Sequence, residues 1–222
     1  MMPRESKGAR AERAGRILES LREAYPNADC ELRHKSALEL LVAVILSAQS
    51  TDATVNKVTP ALFRKYRTAR DYAAADVAAF EEEIRPTGFF RQKTKSVIGA
   101  ARMLEERFDG RVPDRMEDLI LLPGVARKTA NVVLGTWFGR NDGIAVDTHV
   151  GRLAHRMKLT RTSRDGKDAV RIEKDLMEII PRDSWTFFSH AMILHGRRVC
   201  AARKPDCAGC SIAPHCPSAG LV

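Results

Sequence analysis

Apolar residues recur along the chain at spacings of three and four, and no stretch alternates apolar and polar positions for long enough to form a strand. The pattern predicts an all-α fold. Ser36 followed by Glu39 reads as a capping box ahead of the apolar run Leu38 to Leu46, so a buried helix should begin there and end near Ser47 to Ser50. A helix from about Thr51 and Asp52 to Arg64 follows, then one over roughly Ala75 to Ile84 that Pro86 and Gly88 stop, and one over Arg91 to Phe108 closed by Gly110. Asp114 with Glu117 should open a short helix whose apolar end, Leu119 to Leu122, runs into Pro123 and Gly124. Further helices are predicted at Arg127 to Phe138, Thr148 to Met157, Lys167 to Ile179 and Ser184 to Arg198. Beyond Cys200 the chain is too rich in Pro and Gly for regular structure.

The uncharged apolar run Leu40 to Thr51 has 12 residues, whereas a membrane span needs about 20 apolar ones. The N-terminus, MMPRESKGARAERAGR, has no apolar core, so a secretory signal is not expected and a cytoplasmic location is. Thirty-seven Lys and Arg against 28 Asp and Glu give a formal charge of +9 and favour a polyanionic partner, nucleic acid first. The basic stretch Arg4 to Arg16 reads either as a DNA contact or, as favoured here, as a frayed solvated arm.

Three segments carry candidate chemistry. In Leu121 to Leu134, Pro123 and Gly124 place a tight turn before a helix whose first backbone N–H groups, with Arg127 and Lys128 beside them, form an anion site. The plainer reading is an ordinary corner between helices. Lys128 sits where the helix dipole and Arg127 both disfavour a further positive charge, which favours a neutral amine nucleophile; its plainer reading is a solvated surface charge. In Gly143 to Val150, Asp147 is most simply an N-cap.

The third segment holds Cys200, Cys207, Cys210 and Cys216, spaced C-x6-C-x2-C-x5-C with Pro217 after the last. Structural zinc usually takes two close pairs, and only one exists here. A [4Fe–4S] cluster tolerates a single irregular loop, and a Cys-Pro ending recurs in bacterial cluster sequences. Cys30 stands alone and is expected to be a buried apolar residue.

With LLVAVILSAQSTDATVNKV, LPGVARKTANVVL, AVDTHVGRL and the four-cysteine terminus in this order, the sequence resembles the endonuclease III family, DNA glycosylases with a helix-hairpin-helix motif and an iron–sulfur loop. The resemblance covers most of the chain. It implies two helical lobes with a DNA groove between them: a central helix-hairpin-helix domain at 30–140, and a cluster domain built from 1–29 and 141–222. It further implies that Lys128 attacks C1′ of a damaged nucleotide, that Asp147 assists, and that the four cysteines hold a [4Fe–4S] cluster. Gln49 would fill the gap left by an extruded nucleotide, and Phe89, in the loop Thr87 to Lys93, would wedge the opposite strand; the plainer reading of Phe89 is a core aromatic. Gly124, Ala126, Arg127 and His149 would contact DNA. The implied activity is a base-excision DNA glycosylase with AP lyase activity, acting as a monomer on double-stranded DNA that carries oxidised pyrimidines and associated with the nucleoid through that binding. A related adenine-specific mismatch glycosylase lacks the lysine, so Lys128 argues for the two-step lyase.

One departure stands out. The family hairpin reads L-P-G-V-G, whereas Ala126 occupies the second glycine position here. If that position needs φ above zero, alanine costs roughly 1 kcal/mol. Two other functions compete with the enzyme. A non-catalytic DNA-binding protein with a zinc site does not use Lys128 and Asp147, and an electron carrier leaves some 200 residues without a role.

Overall fold

The computed structural model describes residues 5–222. Arg4, the first residue of the expected arm, lies outside them. Every regular element among the described residues is helical: α1 (Lys7–Ala24), α2 (Ala37–Ser47), α3 (Asp52–Lys65), α4 (Ala69–Ala73), α5 (Val77–Ile84), α6 (Phe90–Arg107), α7 (Met116–Leu119), α8 (Arg127–Thr136), α9 (Thr148–Arg156), α10 (Ala169–Met177) and α11 (Trp185–Arg198). Short 3-10 turns occupy Arg85–Thr87, Arg182–Ser184 and Ala213–His215. No helix among the described residues is long and apolar enough to cross a membrane.

The chain divides into two compact units, Cys30–Asp142 and Met1–Asp29 with Gly143–Val222. In the first, α2 is the central rod. Its seven consecutive residues Leu40 to Leu46 are all buried, because α3, α6 and α8 pack around it. A helix apolar on every side needs such complete cover. Ser36 Oγ accepts from the Glu39 N–H at 3.1 Å, and the Glu39 carboxylate accepts from the Lys35 N–H, one residue before the cap, at 2.5 Å. The stacked and edge-on rings of Tyr66, Tyr72 and Phe80, with centroids 5.0 to 6.1 Å apart, close one side of this unit.

The second unit is built on α9, α10 and α11, and α1 packs on α11. Here the structure corrects the sequence reading. Residues 7–16 belong to a regular helix and not to a frayed arm: Ala14, Ile17, Leu18 and Leu21 are buried among Val150, Leu153, Phe188 and Met192. The apolar stripe of α1 is four residues wide in a strongly charged sequence, so its periodicity is faint. Arg13 completes the anchorage, donating to the Met157 and His215 carbonyls at 2.7 and 3.3 Å while paired with Glu5 at 2.8 Å.

Three smaller features also differ from the sequence reading. The helix expected behind Asp114 starts two residues later, with Arg115 as an N-cap that makes no side-chain bond; Asp114 instead pairs with Arg140 at 3.4 Å, and Glu117 with Arg115. Thr68 and Asp71 form a true capping box for α4, a helix too short to leave a periodic trace. Cys30 is only partly buried, since it lies where the chain passes from one unit into the other.

Candidate functional site

In unit 30–142, the turn between α7 and α8 places Gly124 at φ 78°, a left-handed conformation that suits glycine. A side chain there would also collide with α6, since a Cβ on Gly124 would lie 2.5 Å from Ser96 Cβ. Pro123 seats against Gly99 on the same helix, where an added Cβ would meet the proline ring at 3.2 Å. Hairpin and α6 therefore pack too closely for any side chain at Gly124 to come between them.

Ala126 has φ −86° and ψ 168°, extended backbone open to any residue, so the penalty considered for a left-handed alanine does not arise. It is the N-cap of α8, and with no side-chain oxygen it makes no cap bond. The helix's own bonding begins with the Ala130 N–H donating to the Ala126 carbonyl at 3.0 Å. The N–H groups of the first turn are thus spared a competing internal acceptor, which is what an anion site at a helix N-terminus requires. Arg127 and Lys128 are exposed on that turn. Lys128 has no ion-pair partner among the described residues.

Two further candidates of this unit occupy turn tips. Gln49, just past the end of α2, is exposed with φ 53°. Phe89, ahead of α6, has φ 48° and is 64% exposed, so it is not the core aromatic of the plainer reading. Both residues hold left-handed backbone, a conformation that L side chains adopt at a cost of about 1–2 kcal/mol.

In the other unit, Asp147 is the N-cap of α9, in line with its simplest reading. Its Oδ1 accepts from the N–H groups of His149 and Val150, both at 2.8 Å. It also lines an open pocket of about 530 Å³ shared with Thr148, Arg152, His155, Arg156 and Lys167. His149 lies against α11, where a Cβ on Gly196 would come within 2.9 Å of its own Cβ, and its Nδ1 is 3.2 Å from Arg152 Nη2.

Cys200, Cys207, Cys210 and Cys216 line a single pocket walled by Met157, Val199, Pro205 and Ala213. Burial pushes the Cys210 and Cys216 thiols up. Polar contacts surround the sulfurs: Arg156 Nη1 donates to Cys200 Sγ at 3.3 Å and to the Ala201 carbonyl at 2.7 Å, and Arg152 Nη2 donates to the Cys200 carbonyl at 2.9 Å. His195 Nε2 lies 3.5 Å from Cys210 Sγ, with its Nδ1 3.1 Å from the Tyr25 hydroxyl. Four thiols lining one pocket are the soft donor type that an iron–sulfur cluster takes. The sequence reading missed Arg152, Arg156 and His195, whose position on α9 or α11 carries no local mark of their proximity to a loop at the far end of the chain.

Residues 42–182 match the HhH-GPD superfamily of base excision DNA repair proteins, and the chain belongs to it. Over 211 residues it is 54% identical to the endonuclease III of Synechocystis sp., covering 95% of this chain and 94% of that relative. Two solved structures are similar at a TM-score of 0.88. One is a non-covalent endonuclease III–DNA complex at 42% identity, covering 95% of this chain and 96% of that one. The other is a trapped endonuclease III–DNA covalent intermediate, an estranged-adenine complex, at 41% identity, covering 95% and 97%. Within the superfamily its place is the endonuclease III family, and its activity is that of a base-excision DNA glycosylase and AP lyase.

Proposed function

We propose that Lys128 is the nucleophile of this enzyme, Asp147 its assisting carboxylate, and double-stranded DNA bearing an oxidised pyrimidine its substrate. The observation that carries the reading is an exposed lysine in the first turn of a helix whose N-cap, Ala126, leaves the turn's N–H groups to a phosphate. The trapped covalent DNA intermediate of a similar protein supports covalent chemistry.

The Lys128 amine attacks C1′ through its nitrogen lone pair, the glycosidic bond breaks, and the base departs with the bonding electrons and takes up the proton that the alkylated amine releases. Ring opening yields a protonated Schiff base between Nζ and C1′. That imine acidifies the C2′ proton, and its removal expels the 3′ phosphate by β-elimination. Water then hydrolyses the imine and frees the amine. Asp147 stabilises positive charge developing on the sugar through the carboxylate oxygen that its capping bonds leave over.

Extrusion of the nucleotide costs a few kcal/mol, less for a damaged base. Gln49 enters the gap and Phe89 wedges the opposite strand, replacing lost stacking. Gly124, Ala126 and Arg127 grip the phosphate near Lys128, and His149 adds a DNA contact beside Asp147. Cys200, Cys207, Cys210 and Cys216 hold a [4Fe–4S] cluster that, when bound, cross-links the loop and takes no part in the bond changes. Arg197, Arg198, Arg203 and Lys204 are then set toward the DNA backbone. The protein acts as a monomer.

Borohydride reduction on a duplex with a single thymine glycol tests the nucleophile. Wild type is trapped covalently, and Lys128→Gln loses both trapping and base release while keeping its fold. Trapping retained in the variant overturns the assignment.

A further inference from the structure

Lys93 is an unusual core residue. It is 4% exposed, burial alone pushes its ammonium pKa down, and no ion pair to it exists among the described residues. Its Nζ donates to the Thr87 carbonyl at 2.7 Å. A methionine of similar length would fill the same space without the cost of desolvating a charge. What only the ammonium supplies is a directed, charge-assisted hydrogen bond.

That bond falls on the turn that carries Phe89. Thr87 is itself buried, its Oγ1 donating to the Ile84 carbonyl at 2.7 Å. The next two residues, Gly88 (φ 69°) and Phe89 (φ 48°), both have positive φ, and the Phe89 carbonyl accepts the first helical bond of α6 from the Lys93 N–H at 3.1 Å. Lys93 therefore grips the turn on both sides of this pair, by its side chain before it and by its backbone after it. Disfavoured backbone persists only where the surroundings over-determine it.

We propose that Lys93 is a positioning residue for lesion opening, its ammonium locking the Thr87–Phe89 turn so that Phe89 is presented as a rigid wedge. The proposal rests on the reading of Phe89 given above. It predicts that Lys93 matters where a duplex must be opened and not where it is already single-stranded, and that its effect passes entirely through Phe89.

The test compares wild type, Lys93→Met, Phe89→Ala and the double variant as full-length holoenzyme, with melting temperatures to confirm folding. Lys93→Gln, polar but too short to reach the Thr87 carbonyl, is a second probe should the methionine variant not fold. Single-turnover base release from thymine glycol duplex should fall roughly tenfold to a hundredfold in each single variant, the scale on which misplaced groups lose rate. The double variant should fall no further than the worse single one. Strand cleavage of a single-stranded abasic oligonucleotide should be unchanged in Lys93→Met. 2-Aminopurine opposite the lesion should brighten on binding wild type and lose most of that rise in both single variants. If Phe89→Ala keeps wild-type release, the wedge reading fails and the Lys93 proposal with it. If Phe89→Ala loses release but Lys93→Met does not, or the two losses multiply, or single-stranded cleavage falls equally, only the Lys93 proposal is overturned.

Discussion

Asp147 is called on twice, as the N-cap of α9 and as the assisting carboxylate, and the two roles separate by substitution. One oxygen, Oδ1, accepts both capping bonds, from the His149 and Val150 N–H groups at 2.8 Å each. Asn offers a carbonyl oxygen at the same place and ranks with Asp as an N-cap, so Asp147→Asn should change stability by no more than a few tenths of a kcal/mol. Asp147→Ala removes both bonds and should cost about 1–2 kcal/mol. At roughly 2–4 °C per kcal/mol for a protein of this size, the alanine variant should melt about 2–8 °C below wild type and the asparagine variant within about 1 °C of it. Catalysis should not follow that order. Either change removes the negative charge that the proposed role sets against the developing oxocarbenium character, so on that role both should lower single-turnover base release by about 10²–10⁴. Both should still bind damaged duplex, because the charge acts in the transition state and not in the ground state. Calorimetric melting and single-turnover release on a thymine glycol duplex measure the two quantities independently. An asparagine variant with wild-type release, beside an alanine variant that loses release in step with its stability, would show that Asp147 is a cap and nothing more.

Ala126→Ser should act with opposite signs on stability and binding: the added hydroxyl caps α8 and raises stability by about 0.5–2 kcal/mol, while competing for the N–H groups that take phosphate, so the melting temperature rises as DNA affinity falls. A parallel rise in both would argue against an anion site at this turn. Cys207→Ser should reduce iron content and soluble yield together, with activity per iron-loaded molecule unchanged, as checked by iron assay against titrated active sites; a folded, active and iron-free variant refutes the cluster. Arg203 and Lys204 are exposed on the cysteine loop, so Arg203→Ala with Lys204→Ala should flatten the dependence of log affinity on log salt by about 0.9 for each phosphate no longer neutralised, roughly one to two phosphates in all, leaving the rate of the bound complex alone. An unchanged salt slope would place those charges away from DNA.

Sequence alone determined the all-helical class, the central helix under Ser36, the hairpin at Pro123 and Gly124, the helix behind Asp147 and the clustering of four cysteines, because capping, turn chemistry and close ligand spacing are decided within a few residues of chain. Tertiary structure decided what depends on distant partners. The charged segment of α1 became a docked helix because the core of its unit, itself contributed by α9, α10 and α11, covers its narrow apolar stripe. Whether Ala126 was strained turned on a backbone angle, and that angle proved extended because the residue begins a helix and does not end a turn. Phe89, apolar and beside a helix start, had the composition of a core residue, yet it sits exposed at the tip of a left-handed turn. Lys93 itself reads as one more surface charge among 37 basic residues, since burial is a property of the packed whole and leaves no trace in the identity of a single lysine.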